Sequence, residues 1–562
     1  MENKNTTISL VCRYSIRILF WSQVGLAVFI MLSIIENAVL MAQDLRIVWE
    51  REYQSQDSTA FVNQAIFDDV GNIYLAGYSQ NDQNSEDFIT LKYDADGNQE
   101  WIARYNGPGN STDKPIGVSV DRQGNPYIVG QSIGLNSDFD FVVIKYDHNG
   151  FEKWDARFDG PLHGADVPTA FLVNNQNTYV PGRSLGPDST LDCITIKYNS
   201  DGVEQWSANY AGRRTGLDQP YALAMDHLQN VYIAGESSDE TDTLATNFVI
   251  VKYDNSGNEL WDLRYRNEIY HRHRALKMIV DDSLNIYVSG EIVRYGSARD
   301  NAAATQTLKY NAKRQIQWIG SDANDSGTDV PGSRPINFVM DSLGNLVFSA
   351  VLVEFGQYFY RIVKRANDGK FLWENHLKPD RDVGDLLVDS SGKIYVAQQN
   401  VLMAFSPEGA ILWEVPFEGD YFYISDLEFS QNETEILIAG NLYDTQGNSS
   451  IKLIKTKLSP VMEPGDNTIR SKLHQNSPNP FMNSTQIYYD VAQTSRVVLE
   501  VYDILGRKIS TLVDEVKEKG RYDVTLNIPF SSGVYFSVLK TTPMEAQFKQ
   551  TEIQARKMVL IN

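Results

Sequence analysis

Seven histidines, two cysteines and a recurrent aspartate turn are the groups in this 562-residue chain with chemistry to offer. His271-Arg272-His273 on a strand would set two imidazoles on one side, a pair able to hold a metal ion. A zinc-type site wants further Cys, His, Asp or Glu ligands at diagnostic spacing, and no such spacing follows. Cys193 stands in the slot that Phe88, Phe141 and Phe248 fill in other copies of a repeat. It therefore reads as a buried apolar residue rather than a nucleophile. Asp-x-x-Gly recurs at Asp68/Gly71, Asp94/Gly97, Asp121/Gly124, Asp147/Gly150, Asp254/Gly257, Asp341/Gly344 and Asp389/Gly392. These aspartates lack the calcium-loop spacing D-x-[DN]-x-[DN]-G-x₅-E and suit a type I turn closed by a left-handed glycine. Lys92, Lys145, Lys197, Lys252 and Lys309 recur at one register position. They could form a basic ring; the expected role is to lay their stems over aromatic neighbours and pair with turn carboxylates. There is no H-E-x-x-H or G-x-x-x-x-G-K-[ST] motif. No position is assigned as catalytic, cofactor-binding or metal-ligating.

The elements that would position any site are plainer. Eight of the nine tryptophans, Trp49, Trp101, Trp154, Trp206, Trp261, Trp318, Trp373 and Trp413, form a ladder with steps of 52, 53, 52, 55, 57, 55 and 40 residues by subtraction. A period of about 40–55 residues marks a repeat architecture. One copy runs Ala65-Ile66-Phe67, a turn, Ile73 to Gly77, a polar loop, Asp87 to Tyr93, a second turn, then Trp101 to Tyr105. Ile89, Leu91 and Tyr93 share one face of their run, as Val142, Ile144 and Tyr146 do of theirs. Four short strands per unit over many units predict a β-propeller. The Ile73-to-Gly77 type of run recurs near 127, 179, 232, 287, 346, 394 and 436, which predicts eight blades, with seven as the alternative. The run around Trp49 has no strands before it, and the run around Leu453-Ile454-Lys455 has no Trp run after it. The N-terminal strand is therefore expected to complete the last blade and remove an exposed edge.

The unit resembles the bacterial beta-propeller repeat family with the pattern D-x-x-G-N-[IV]-Y-[VL]-[AS]-G, seen as Asp68 to Gly77 and as Asp281 to Gly290. The resemblance covers residues 44–458 and implies the fold, with little about activity. Gly409-Ala410-Ile411-Leu412-Trp413 is also similar to quinoprotein-type propeller repeats.

The net charge is −22 and the pI about 4.8. Such a field repels nucleic acid and anionic lipid, so no nucleic-acid partner is expected. Lys4, Arg13 and Arg17 precede an apolar run from Ile18 to Ile35, and Leu40-Met41-Ala42 follows. Residues 1–42 read as a secretory signal cut after Ala42, with an uncleaved anchor helix as the alternative. Cys12 lies in this segment, so the mature chain would carry one thiol.

Repetition stops near Pro460, and 459–472 reads as a linker. Short alternating strands over 473–562 predict a small immunoglobulin-like β-sandwich. The module carries Pro478-Asn479-Pro480-Phe481, Tyr502 with Leu505-Gly506, Gly533 with Tyr535-Phe536, and a basic end at Lys557. In this order these motifs closely resemble the C-terminal sorting domain (type A) of type IX secretion substrates in Gram-negative bacteria; Asn562 stands where that family often has Lys. The resemblance implies recognition by the type IX secretion machinery, export through the periplasm across the outer membrane, and removal of the domain. The cargo is then released or attached at the cell surface. An immunoglobulin-like adhesion domain is the alternative reading of the module. Taken together, the chain is expected to be a monomeric, exported binding module for an extracellular glycan or protein. The alternatives are an extracellular glycan lyase or hydrolase, and a quinoprotein-like cofactor-binding propeller.

Overall fold

The structure, a computed structural model, describes residues 45–560 apart from 459–470 and segments at 56–58, 81–84, 175, 187–188, 213–215, 240–241, 243–244, 295–301, 322–333, 355–356, 379–382, 419–420, 475, 477–478, 480, 482–483, 504–506, 528–532 and 545–551. The expected signal 1–42 and nearly all of the linker lie outside the described residues. Every regular element among the described residues is a β-strand. The chain separates into two compact units, Met1–Ser459 and Pro460–Asn562.

The first unit holds eight antiparallel sheets among the described residues. The first sheet is Ala60–Phe67, Ile73–Gln80, Glu86–Tyr93 and Gln99–Tyr105, paired in chain order. The second (Asp113–Val120 to Glu152–Phe158), fourth (Asp218–Met225 to Glu259–Tyr265), fifth (Arg272–Val280 to Ile316–Ser321), sixth (Arg334–Met340 to Phe371–His376) and seventh (Val383–Val388 to Ile411–Pro416) repeat this order. The eighth joins Phe422–Phe429, Glu435–Tyr443 and Ser449–Leu458 to Leu45–Tyr53, the first strand of the chain. Leu45 lies opposite Leu458, and Trp49 opposite Lys455.

The third sheet departs from the four-strand expectation. Its inner strand is broken into Val167–Pro168 and Leu172–Asn174, both pairing Asn177–Leu185. Pro168 does not account for the break, since Pro115 and Pro220 stand at the same register in unbroken inner strands. Past the break, the Phe171 ring fits against Gly117 of the second sheet, where a Cβ would lie 2.9 Å from Phe171 Cε1.

The inner strand of every sheet packs on the sheet before it, and the cycle closes where Ala60–Phe67 packs on the eighth sheet. Each gap is filled by apolar side chains from both neighbours. Tyr74, Ala76 and Phe88 of the first sheet meet Val118, Ile128, Val142 and Ile144 of the second. Each fully buried aliphatic or aromatic residue here contributes about 1.5–3 kcal/mol. Middle strands such as Ile73–Gln80 are buried nearly throughout, whereas outermost strands such as Gln99–Tyr105 alternate half-buried with exposed residues.

Among its described residues the second unit has two antiparallel sheets. One pairs Lys472–Leu473, Ser484–Val491 and Gly520–Asn527; the other pairs Lys508–Lys517, Ser495–Asp503, Gly533–Pro543 and Glu552–Leu560. Ile487, Tyr489 and Leu526 of the first share a core with Val497, Leu499, Leu539 and Met558 of the second.

Candidate functional site

The ladder tryptophans sit on the outermost strands, and seven of the eight reach forward to the next sheet. Trp101 Nε1 and Lys92 Nζ of the first sheet both donate to the carbonyl oxygen of His148 in the second, at 3.1 and 3.2 Å. The same convergence joins Trp49 and Lys455 on Ala95, Trp154 and Lys145 on Ser200, and Trp206 and Lys197 on Asn255. Trp318 and Lys309 meet on Asn367, and Trp373 and Lys364 on Pro407. The acceptor lies in a turn whose glycine has positive φ and lies against the indole: a Cβ on Gly150 (φ 85°) would sit 2.6 Å from Trp101 Cδ2. Behind the carbonyl, each of the five register lysines lies over a tyrosine, as Lys145 does over Tyr127 at 4.6 Å from the ring centroid. Carboxylates join in, for example Asp121 at 3.6 Å from Lys145 and Asp341 at 2.9 Å from Lys364. These lysines are cross-braces rather than a basic ring.

Two junctions differ. Between the fourth and fifth sheets the turn residue is Arg314, whose guanidinium lies 5.7 Å from the Trp261 ring centroid. Between the seventh and eighth, Ala404 occupies the lysine position opposite Trp413. Trp413 instead packs on Tyr395, and nothing lies within 4 Å of a Cβ placed on Gly447.

The turn aspartates serve their own turns. Asp68 Oδ1 accepts from the N–H groups of Val70 and Asn72, and Oδ2 from the Asn72 side chain. Asp94, Asp121, Asp226, Asp254, Asp281, Asp341 and Asp444 repeat the pattern. His273 is fully buried. Its Nδ1–H donates to Thr246 O and its Nε2 accepts from Asn267 N–H, so both ring nitrogens are engaged. Burial lowers its pKa to about 4, and it is a structural side chain rather than a metal ligand. Cys193 is buried, and burial pushes its thiol pKa up.

The inner strands carry the unexpected groups. In all but the third sheet they bulge near one position, occupied by Gln64, Gly117, Ala222, Lys277, Asn337, Asp385 and Asp426 in turn. An inner strand is a sheet edge, and its free N–H groups need acceptors. Side chains of the preceding sheet supply them. Gln64 Oε1 accepts from Val118 N–H at 3.0 Å, Asp385 Oδ2 from Leu427 N–H at 3.1 Å, and Asp426 Oδ2 from Ala65 N–H at 2.7 Å. Burial raises the Asp385 pKa to about 6, opposed by the Leu386 and Leu427 N–H groups and by Lys277. Burial and the Asp385 charge raise Asp426 well above the carboxylate range. The same two causes bring Glu428 to about 7, while burial lowers Lys277. Glu428 lines a cavity of about 500 Å³ with Gln64, Ile66, Ser119, Phe171 and Leu172, from the inner strands of four sheets or the break in one of them. A carboxyl that keeps its proton near pH 7 can act as a general acid, and it can also donate a hydrogen bond to a polar ligand.

These acids carry no local motif. The signal that could have found them is the repeat itself, because aligning the copies puts a small or neutral residue at Gly117 and Ala222 where Lys277, Asp385 and Asp426 are charged.

In the second unit the described motif residues converge on the last strand. Asn479 brackets it, with Nδ2 donating to Lys557 O and Oδ1 accepting from Val559 N–H. Phe481 is buried and donates its N–H to Val559 O. Gly533, Tyr535 and Phe536 lie opposite Leu560, Met558 and Lys557, and Phe536 lies opposite Tyr502 on the other side. Pro478, Pro480, Leu505 and Gly506 lie outside the described residues.

A family profile described as a beta-propeller repeat matches residues 100–139. No curated protein matches the chain. Among solved structures, a polysaccharide lyase, Uly1, is 10% identical, covering 74% of this chain and 99% of its own, at a TM-score of 0.42. The Penicillium chrysogenum alpha-L-arabinanase complexed with arabinobiose is 13% identical over 52% of this chain and 92% of its own, at 0.32. A Bacteroides caccae protein of unknown function is 11% identical over 47% and 83%, at 0.28. Nothing about the chemistry of this chain follows from likenesses at that level. The repeat match and the closed cycle of antiparallel sheets, four-stranded in all but one, make the first unit a β-propeller.

Proposed function

We propose that this chain is an exported propeller of eight blades, one per sheet, that binds an extracellular glycan or protein. We further propose that its C-terminal module is an immunoglobulin-like sorting domain read by the type IX secretion machinery and then removed, leaving the propeller released or attached at the cell surface. The observation that carries the binding reading is the use of the repeated Trp, Lys and Asp side chains within the framework. They brace sheet to sheet, which leaves ligand contacts to the loops and the central cavity of a rigid ring. The motif residues gathered around the last strand support the sorting reading.

A second reading, an extracellular glycan lyase or hydrolase, is favoured by one observation: the acids Asp385, Asp426 and Glu428 with raised pKa values on the inner strands. A glycan array and a substrate screen on the purified full chain separate the two. Binding without turnover supports the module, whereas turnover abolished by Glu428→Gln with binding retained supports the enzyme. Export is tested by deleting 473–562. The truncated chain should accumulate in the periplasm, and normal release would defeat the sorting assignment.

A further inference from the structure

We propose that Asp140, Asp159 and Asp166 hold one divalent cation, calcium by the character of the donors. Their carboxylate oxygens all lie within 4.8 Å of one another, the one such cluster among the described residues. Asp140 is 2% exposed and Asp166 0%. In each, one oxygen is fixed: Asp140 Oδ2 accepts from Arg157 at 2.8 Å and from Ser137, and Asp166 Oδ2 from Gly160 N–H. The other oxygen, Oδ1 of Asp140 and of Asp166, is buried with no hydrogen-bond partner. His163 Nδ1 orients exposed Asp159 at 2.7 Å from its Oδ2. Carboxylates held by one oxygen with the other left open are the arrangement of metal ligands steadied by outer partners.

Charge points the same way. Three carboxylates face one guanidinium, that of Arg157, and buried acceptors without donors are costly. A hard cation relieves both strains, and three carboxylates plus water can supply the six to eight oxygens calcium takes.

The repeat provides an internal control. The preceding junction has Asp87, Asn106, Gly107 and Asp113 at the corresponding positions, and the following one has Asp192, Ala211, Gly212 and Asp218. Gly107 N–H donates to Asp113 Oδ2 as Gly160 does to Asp166. The buried pair is thus a property of the framework, and the third carboxylate is present at one junction only. The site lies at the ends of the strands away from the Asp-x-x-Gly turns, so the turn aspartates take no part.

The test is calcium titration of the full chain after chelation. Calcium should raise the thermal unfolding midpoint by several degrees. Calorimetry should give one ion per chain, with half-saturation on the order of 10⁻⁴–10⁻³ M, as in extracellular modules. Asp159→Asn, at an exposed residue, should unfold like the parent in chelator and bind about tenfold more weakly. Asp166→Asn, whose amide oxygen still accepts from Gly160, should lose binding. Absence of heat and of any midpoint shift with calcium or magnesium at about 10 mM would overturn the site, as would unchanged affinity in both variants.

Discussion

Leu284, Gln229 and Arg314 take positive φ (61°, 64° and 66°) at turn positions where other copies place glycine. A left-handed residue with a Cβ costs about 1–2 kcal/mol. Arg314 gains the Trp261 ring in return. Nothing in the structure explains Leu284. Leu284→Gly should therefore raise stability by about 1 kcal/mol, read from denaturant unfolding, whereas Arg314→Gly should show no such gain. Glu428 gives a second prediction at this scale. Its folded pKa, about 7, lies above that of an unfolded glutamate. The folded state thus binds the extra proton, and this group's contribution to stability falls as pH rises from about 4.5 through 7. Glu428→Gln should leave the melting temperature unchanged at about pH 4 and stabilise by about 1–3 kcal/mol at about pH 8. The turn aspartates were legible in the sequence because partner and acceptor lie within four residues. Asp426 was not, because the N–H it accepts from belongs to Ala65, 361 residues away.

Between elements, the indole-on-glycine contact can be weighed against a junction that lacks it. Gly150→Ala must strain a φ of 85° and push a methyl group into Trp101, which should cost about 2–4 kcal/mol by strain and overpacking together. Gly447→Ala meets the same strain in open space and should cost only about 1–2 kcal/mol. Equal losses in paired unfolding curves would show that the indole contributes nothing. The tryptophan ladder announced the repeat, and strand alternation announced the sheets. What each indole touches was hidden, because its partner lies in the following copy rather than its own. The broken inner strand of the third sheet was hidden too: past the break Phe171 lies against Gly117, a contact between copies.

At the level of the whole first unit, closure is completed by one strand. Leu45–Tyr53 is the outer edge of the eighth sheet, and Trp49 and Arg51 donate to the backbone of Ala95 and Gly97 in the first. Trp49→Ala should lower stability by about 3–5 kcal/mol and depress the main calorimetric transition. An unchanged midpoint would remove this strand from the account of closure. The pairing was readable from the surplus Trp run at one end and the missing one at the other. The acid cluster was not, since Asp385 meets the strand of Asp426 and Glu428 only through the packing of the seventh sheet on the eighth.

That first strand has its partner at residues 449–458, so the order of synthesis and the order of assembly are opposed. A nascent chain can stack sheet upon sheet as it emerges, but it stays an open arc until its last copy arrives. Contacts of such sequence separation form slowly. A chain cut short anywhere before residue 449 would display a bare strand edge in place of a seam, and so would carry its own mark of incompleteness.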